Sequence, residues 1–320
     1  MTGKNLIAGI DIGGTGTKIG IVDFDGRIIA QTLVDTREFS TMVSFVSACT
    51  EQLHKITEFD RLEGIGIGAP NGNYYNGFVE NAPNLPWRGK LDLAGEFTKQ
   101  SGLKSILTND ANAAALGEMI FGGAIGIAHF IYITLGTGVG SGIVADGKLI
   151  YGHDGMAGEL GHTIAVKGGR MCGCGRKGCL EMYASVRGLV LTAQELISQY
   201  PGQSALELKP DFTAKNVSEA AISGDPIALK TFDITAEILG ISLANATAVT
   251  SPSHIFIFGG LAKSGELLIK PLKKYYEQNL LNIYQNKVCI SVSELPDSDA
   301  AILGSAALIR NYLIQTQKQN

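Results

Sequence analysis

The chain has little that would assign it to a membrane, an oxidising compartment or nucleic acid. None of its apolar runs approaches the ~20 residues that a membrane span needs. The opening MTGKNLIAGIDIGG has neither an uninterrupted apolar core nor a small-residue cleavage site, so no signal peptide is expected. Basic residues are not in excess: 26 against 30 acidic ones leave a net charge of −4. That balance argues against nucleic acid or an anionic membrane as the main partner. Cysteine is scarce, at five in 320 residues. An odd number without an export signal points to a reducing cytoplasm, where clustered thiols more often bind metal than form disulfides. Two of the five, Cys49 and Cys289, sit alone in apolar stretches and are expected to be buried. No linker rich in proline or serine interrupts the chain.

Glycine is abundant instead. It supplies 41 of 320 residues, about 13% against an average near 7%. These glycines cluster in short loops beside apolar runs, as backbone that approaches a ligand closely requires. Length and a 45% hydrophobic content allow two α/β domains with sizeable cores.

The first segment reads as strands LIAGIDIG, TKIGIVDF and RIIAQTLV, with Asp25-Gly26 as a hairpin turn. A helix over Thr41–His54 follows, then the strand GIGIGAP, an irregular loop to Arg88 and a helix around Leu91–Gln100. SILTN is a short strand leading into the helix DANAAALGEMIF. A second strand set then repeats the first. Gly14-Thr15-Gly16 aligns with Gly136-Thr137-Gly138, Gly20-Ile21-Val22 with Gly142-Ile143-Val144, and Asp25-Gly26 with Asp146-Gly147. Two copies imply two related domains, and they are too few for a solenoid. Beyond residue 185 the pattern is mostly helical, with a helix starting at Asp225-Pro226 and running to about Ala248, a buried strand HIFIFGG and a terminal amphipathic helix.

Three motifs carry chemistry. The paired glycine hairpins can cradle phosphate through backbone N–H groups; either alone would be a plain turn, but duplicated they read as two jaws on one polyphosphate. GIGIGA at Gly64–Ala69 mimics a dinucleotide fingerprint, yet Pro70-Asn71-Gly72 follows it where that fingerprint needs a helix. Asn109-Asp110 opens a helix, and two readings stand there: a capping acid, or a general base at a domain boundary. The third motif is GELGHTIAVKGGRMCGCGRKGCLEMYAS, Gly158–Ser185. Its Cys172, Cys174 and Cys179 with His162 suit four-coordinate zinc, and Gly173, Gly175 and Gly178 allow the bends that would bring them together. Glu159 and Glu181 flank the set, making a surface rich in hydroxyl-binding groups that suits a polyol.

Together these segments resemble the ROK family (repressor, open reading frame, kinase), and within it the ATP-dependent glucokinase branch. DIGGTGTK resembles its first phosphate motif, NDANAAALGE its catalytic segment, and GELGHTIA with CGCGRKGCLEMYAS its two signature segments. The resemblance covers essentially the whole chain. It implies an actin-like, ribonuclease H-like α/β fold in two domains, with ATP and sugar in the cleft. The domains are expected at 1–109 and 110–299, with the zinc loop at 158–185 and a C-terminal helix at about 300–320 packing back onto the first. Asp110 would be the base. The sugar would be bound by Asn109, Asp110, Glu159, His162 and Glu181, with Pro70, Asn71, Gly72 and Asn84. The nucleotide would meet Asp11, Gly13, Gly14, Thr15, Gly16, Lys18, Gly136, Thr137, Gly138, Gly259 and Gly260, with Mg²⁺. Zinc would be held by His162, Cys172, Cys174 and Cys179.

The expected reaction is phosphorylation of a free hexose, foremost glucose to glucose 6-phosphate, in cytoplasmic carbohydrate metabolism and glycolysis, by a homodimer. Two departures stand out. The substrate loop reads Pro70-Asn71-Gly72 where many relatives have Pro-Gly-Pro, and Tyr74-Tyr75 follow it. GGTGTK is longer than the common GGTK, and polyphosphate-using relatives carry a similar GGTG. Those lack the cysteine cluster, so ATP is the expected donor. An N-acetylhexosamine kinase or a fructokinase of the same family is the alternative. A sugar-responsive repressor would need a helix-turn-helix ahead of Asp11, where no room for one is expected.

Overall fold

The computed structural model describes residues 6–296 and 298–317. Five strands, β1 (Leu6–Ile12), β2 (Gly16–Asp23), β3 (Ile28–Asp35), β4 (Leu62–Gly68) and, after a short hairpin of β5 (Phe78–Glu80) and β6 (Lys90–Asp92), β7 (Ser105–Thr108), lead the fold. Helix α1 (Met42–Ile56) connects β3 to β4, α2 (Leu93–Ser101) precedes β7, and α3 (Asp110–Phe121) follows it. The first sheet has the order β3-β2-β1-β4-β7. Its first three strands are antiparallel and the last two join parallel.

The pattern then repeats. Strands β8 (Phe130–Leu135), β9 (Val139–Ala145), β10 (Lys148–Leu149), β11 (His254–Phe258) and β12 (Cys289–Val292) form a second sheet in the order β10-β9-β8-β11-β12. Again a hairpin precedes parallel additions. The glycine duplication in the sequence is thus a duplication of topology. Helices α4 (Glu181–Ala184), α5 (Val186–Gln199), α6 (Ala214–Ile222), α7 (Pro226–Thr250) and α8 (Glu266–Asn279) lie between β10 and β12 in the chain, and α9 (Ala300–Gln317) ends it.

Two compact units result. The first takes the described residues within Met1–Ala128, Gly142–Gly158 and Ser293–Asn320, the second His129–Ser141 and Glu159–Val292. Helix α3 belongs to the first unit, which therefore runs past residue 109, because α3 packs along α9 and α9 lies on β1 and β4. The sequence anticipates that seat. A Cβ at Gly9 would sit 2.3 Å from Ile302 O, and one at Gly66 1.8 Å from Ser305 O, so glycine lets helix and sheet touch backbone to backbone. Residues 318–320 of the expected terminal helix lie outside the described residues.

The first core gathers Ile10, Ile19, Ile65, Ile67, Phe45 and Phe97 from the sheet, α1 and α2. The second gathers Ile131, Ile133, Ile255 and Ile257 against Leu189, Phe232, Leu239 and Leu272. Three expectations need correction. The loop to Arg88 contains β5, and Leu91 is a strand residue of its partner β6; the helix starts at Leu93 because Asp92 caps it through Gly95 N. Cys289 is exposed, not buried, since it opens β12, the edge strand, and pairs there only with β11. Cys49 is buried on α1.

Candidate active site

In the first unit, β1 ends beside Asp11 and turns through Gly13–Gly16, where Gly13 N donates to Gly16 O (3.1 Å). Backbone of the Asn84 loop abuts this turn, for a Cβ on Gly14 would meet Asn84 O at 2.1 Å. Lys18 lies opposite Asp11 in the β1–β2 register, and its Nζ donates to Ser298 O at 3.3 Å.

One residue supporting the turn escapes a motif search. Thr36, buried and 23 positions from Gly13, donates its hydroxyl to Gly13 O (2.8 Å), while its N–H donates to Thr15 O (3.1 Å). That uses its only hydroxyl hydrogen, so Thr17 is the donor in the 3.0 Å contact between the two threonine hydroxyls. Two carbonyls of the turn are thereby occupied by Thr36. A buried acceptor left unpaired costs about 1–3 kcal/mol. With ATP and a sugar as substrates, as the family resemblance implies, Thr36→Val is expected to raise the KM for ATP about three- to tenfold and leave the sugar KM within twofold, with Thr36→Ser restoring it; steady-state kinetics of both variants check this.

Asp110 is the first residue of α3. Asn109 caps the helix, its Oδ1 accepting from Ala111 N (2.8 Å) and Asn112 N (3.3 Å), and Asp110 Oδ1 also accepts from Ala111 N (2.8 Å). Of the two roles the sequence allows here, the cap belongs to Asn109, and Asp110 keeps an exposed face. Surrounding protein nevertheless crowds the Asp110 carboxyl and raises its pKa, with backbone amides opposing. Asp11 is pushed to about 7, first by burial, then by the Asp110 charge, with Lys18 opposing.

The sign of the Asp11 effect is testable. A carboxyl whose pKa is raised on folding costs the native state stability once it must ionise, and costs nothing while it is protonated in both states. Stability of the magnesium-free protein should fall as pH rises from about 4 to about 7 and then level off. Asp11→Asn removes that cost, so the variant should be the more stable protein at pH 8, by up to about 4 kcal/mol, with the advantage vanishing toward pH 4. Denaturant midpoints across that range decide; equal midpoints at pH 8 would contradict it.

In the second unit, Gly136 N donates to Gly138 O (3.0 Å), closing the second hairpin. Glu181 is built into it: Val139 N donates to Glu181 Oε2 (3.1 Å), and a side chain on Gly138 would strike the same oxygen. The turn carrying Glu159 and His162 packs on the same strand, through Leu160 N to Ser141 Oγ (3.2 Å). Beside the hairpin lies a cavity of about 510 Å³, lined by Val186, Val190, Leu191 and Phe212 with Gly136, Thr137 and Gly260. An apolar site of this size next to a phosphate-type turn suits a nucleobase. Motifs alone do not single out Val186 and Val190, although their i, i+4 spacing on α5 is visible in the sequence.

The cysteine cluster closes as expected. His162, Cys172, Cys174 and Cys179 bring one ligand atom each to within 4.8 Å of one another. Cys174 Sγ and Cys179 Sγ are 3.5 Å apart, and Cys172 Sγ is 3.7 Å from His162 Nδ1. Zinc bonds of about 2.3 Å to sulfur and 2.0–2.1 Å to nitrogen, at a tetrahedral angle, demand edges of about 3.6–3.8 Å; these two pairs lie close to that, and the donor set of three thiols and one imidazole suits the ion. The separation far exceeds a disulfide's ~2.05 Å. Cys174 is held down to about 6, chiefly by the Arg176 amide, while burial pushes Cys172 and Cys179 up. Gly178 has φ +86° and a Cβ there would sit 1.8 Å from Val166 O. Gly173, by contrast, has open space beside it and is not required for the bend. Arg170 fastens the loop to α5 through Glu195 (2.6 and 2.8 Å) and Thr192 (2.9 Å), and to Met182 O (2.7 Å).

Sequence profiles of known families decide the kinship: the ROK family profile matches residues 7–312. The chain belongs to the ROK family. It is 36% identical to a glucokinase of Halalkalibacterium halodurans over 98% of this chain and 97% of that one. It is 33% identical to a glucokinase of Thermotoga maritima over 97% and 99%. Among solved structures, a ROK family glucokinase from Streptomyces griseus, in complex with glucose and AMPPNP, superposes with a TM-score of 0.78 at 35% identity, covering 95% of this chain and 98% of that one. The two-unit α/β architecture is accordingly that of the actin-like ROK sugar kinases.

Proposed function

We propose that this ROK protein is an ATP-dependent hexose kinase that phosphorylates glucose on its 6-hydroxyl. The observation that carries the reading is the match along nearly the whole chain to a glucokinase solved with glucose and an ATP analogue. The acid at the start of α3 and the Glu159–His162 turn supply the chemistry such a reaction needs.

In this reading Asp110 accepts the proton of the 6-hydroxyl as that oxygen attacks the γ-phosphorus, and the bond to the β,γ-bridging oxygen breaks to release ADP. Asn109, Glu159, His162 and Glu181 hold the sugar hydroxyls, with Pro70, Asn71, Gly72 and Asn84. The turns at Gly13–Gly16 and Gly136–Gly138, with Lys18, hold the phosphates through N–H groups, and the cavity with Gly259 and Gly260 takes the adenosine. Positioning and charge stabilisation supply most of the acceleration in such transfers. Two neighbouring carboxylates, Asp11 and Asp110, are a hard-oxygen set suited to Mg²⁺, which neutralises phosphate charge when bound; Asp11 would hold it. His162, Cys172, Cys174 and Cys179 would hold a structural zinc that stiffens the loop bearing Glu181. Work in glycolysis in the cytoplasm, as a homodimer without a nucleic-acid partner, belongs to the same reading. No helix among the described residues is long and apolar enough to cross a membrane.

The test is stoichiometric. With Mg²⁺ and ATP, glucose should release one ADP per phosphomonoester formed at carbon 6, followed by phosphorus NMR. ADP release that does not depend on sugar would overturn the proposal.

A further inference from the structure

Tyr74 and Tyr75 follow the substrate loop in the sequence and have no part in the reaction described above. In the structure they meet a third tyrosine from a distant segment. Tyr74 lies flat against Tyr151, with ring centroids 4.0 Å apart and planes 7° from parallel, and Tyr75 meets Tyr151 edge-on at 6.1 Å. The Tyr75 hydroxyl donates to Gly152 O (2.8 Å). One residue before Tyr74, buried Asn73 donates its Nδ2 to Asp154 O (2.6 Å), while its Oδ1 accepts from Tyr75 N (3.0 Å). Two segments far apart in sequence are thus joined by hydrogen bonds and an aromatic stack, all within the first unit.

What they join matters. The loop side continues back to Gly72, where a Cβ would lie 2.5 Å from Thr108 O, and Ala69 N donates to that same oxygen (3.0 Å). Thr108 is two residues before Asp110. Its buried Oγ1 has no hydrogen-bond partner of good geometry, and the Tyr151 hydroxyl is close enough to act on it. The other side, Tyr151–Gly155, leads within four residues to Glu159. Removing the stack would free the loop from the segment leading to Glu159 and leave the Ala69 N to Thr108 O bond as its tie to the end of β7.

We propose that Tyr74, Tyr75 and Tyr151 form a latch that holds the Pro70–Gly72 loop in register with Asp110 and thereby sets sugar affinity; they are positioning residues, not catalytic ones. The inference rests on the sugar-kinase reading above. A displacement of about 1 Å in a positioning element can cost up to about 10²-fold, so an effect near tenfold is the scale to seek.

The experiment compares Tyr151→Leu, Tyr151→Phe and Tyr75→Phe with wild type, each checked for a cooperative melt. Tyr151→Leu should raise the glucose KM about tenfold with the ATP KM within twofold. Tyr151→Phe, which keeps the stacking face, should stay within threefold of wild type. Tyr75→Phe, which loses only the bond to Gly152 O, should raise the glucose KM about two- to fourfold and serves if Tyr151→Leu does not fold. A glucose KM unchanged in Tyr151→Leu and Tyr75→Phe, or one that moves in step with the ATP KM, overturns the latch. So does failure of Tyr151→Phe to restore affinity. Asp110→Asn separates the two levels. If it is inactive while Tyr151→Leu binds glucose normally, the latch alone falls; if it turns over freely, the underlying reading falls with it.

Discussion

Asp110→Asn is expected to keep the fold and lose ~10²–10⁴-fold in kcat, the usual contribution of a general base. The fold should survive because Asn109, not Asp110, caps α3, and because an asparagine Oδ1 at position 110 can still accept from Ala111 N. Only the proton acceptor is lost. The wild-type carboxyl suits proton abstraction, since crowding raises its proton affinity and its exposed face leaves it reachable. Removing the neighbouring charge should also lower the Asp11 pKa, since Asp110 is one of the causes that raise it. The glucose KM should change much less than kcat. A variant with an unchanged melting temperature and more than about a tenth of wild-type kcat would leave Asp110 as a helix residue and nothing more.

Loss of the metal is the second large effect. Cys174→Ser should abolish zinc binding and raise the glucose KM ~10–100-fold, the scale seen when support behind a ligand-holding group is removed. The coupling runs through Glu181. Its Oε1 lies 3.8 Å from Cys172 Sγ, within the cysteine cluster, and its Oε2 accepts from Val139 N on the second hairpin. Because that hydrogen bond reaches a phosphate-type turn, the ATP KM is expected to shift as well, but by less than threefold. Metal analysis should find about one zinc per chain, given three thiols and one imidazole in a closed set. Protein free of zinc that phosphorylates glucose with wild-type KM would make the cysteines irrelevant to the site.

Local chemistry decides which parts of the molecule are legible in its sequence. The two glycine hairpins can be read because each turn imposes its own residue pattern, and the duplication shows against a background of unlike strands. The cysteine cluster can be read because its three thiols and one imidazole lie within eighteen residues. Thr36 cannot: a threonine after a strand is unremarkable, and only the return of β3 beside β2 brings it to Gly13. The same holds for Tyr151, whose partner Tyr74 is 77 positions away and whose place is set by tertiary packing. The expected burial of Cys289 fails for a related reason, since apolar neighbours do not reveal that a strand lies at a sheet edge. Gly173 contributes less than its motif suggests, because glycine spacing cannot show which glycines carry positive φ.

Transfer of phosphate from ATP to glucose by this ROK protein is to be measured as kcat/KM for ADP release across glucose, mannose, allose, fructose, N-acetylglucosamine and N-acetylmannosamine under one set of conditions with Mg²⁺. Glucose is expected to give the highest value, with both N-acetylated sugars at least tenfold lower. An N-acetylhexosamine or fructose exceeding glucose would contradict it.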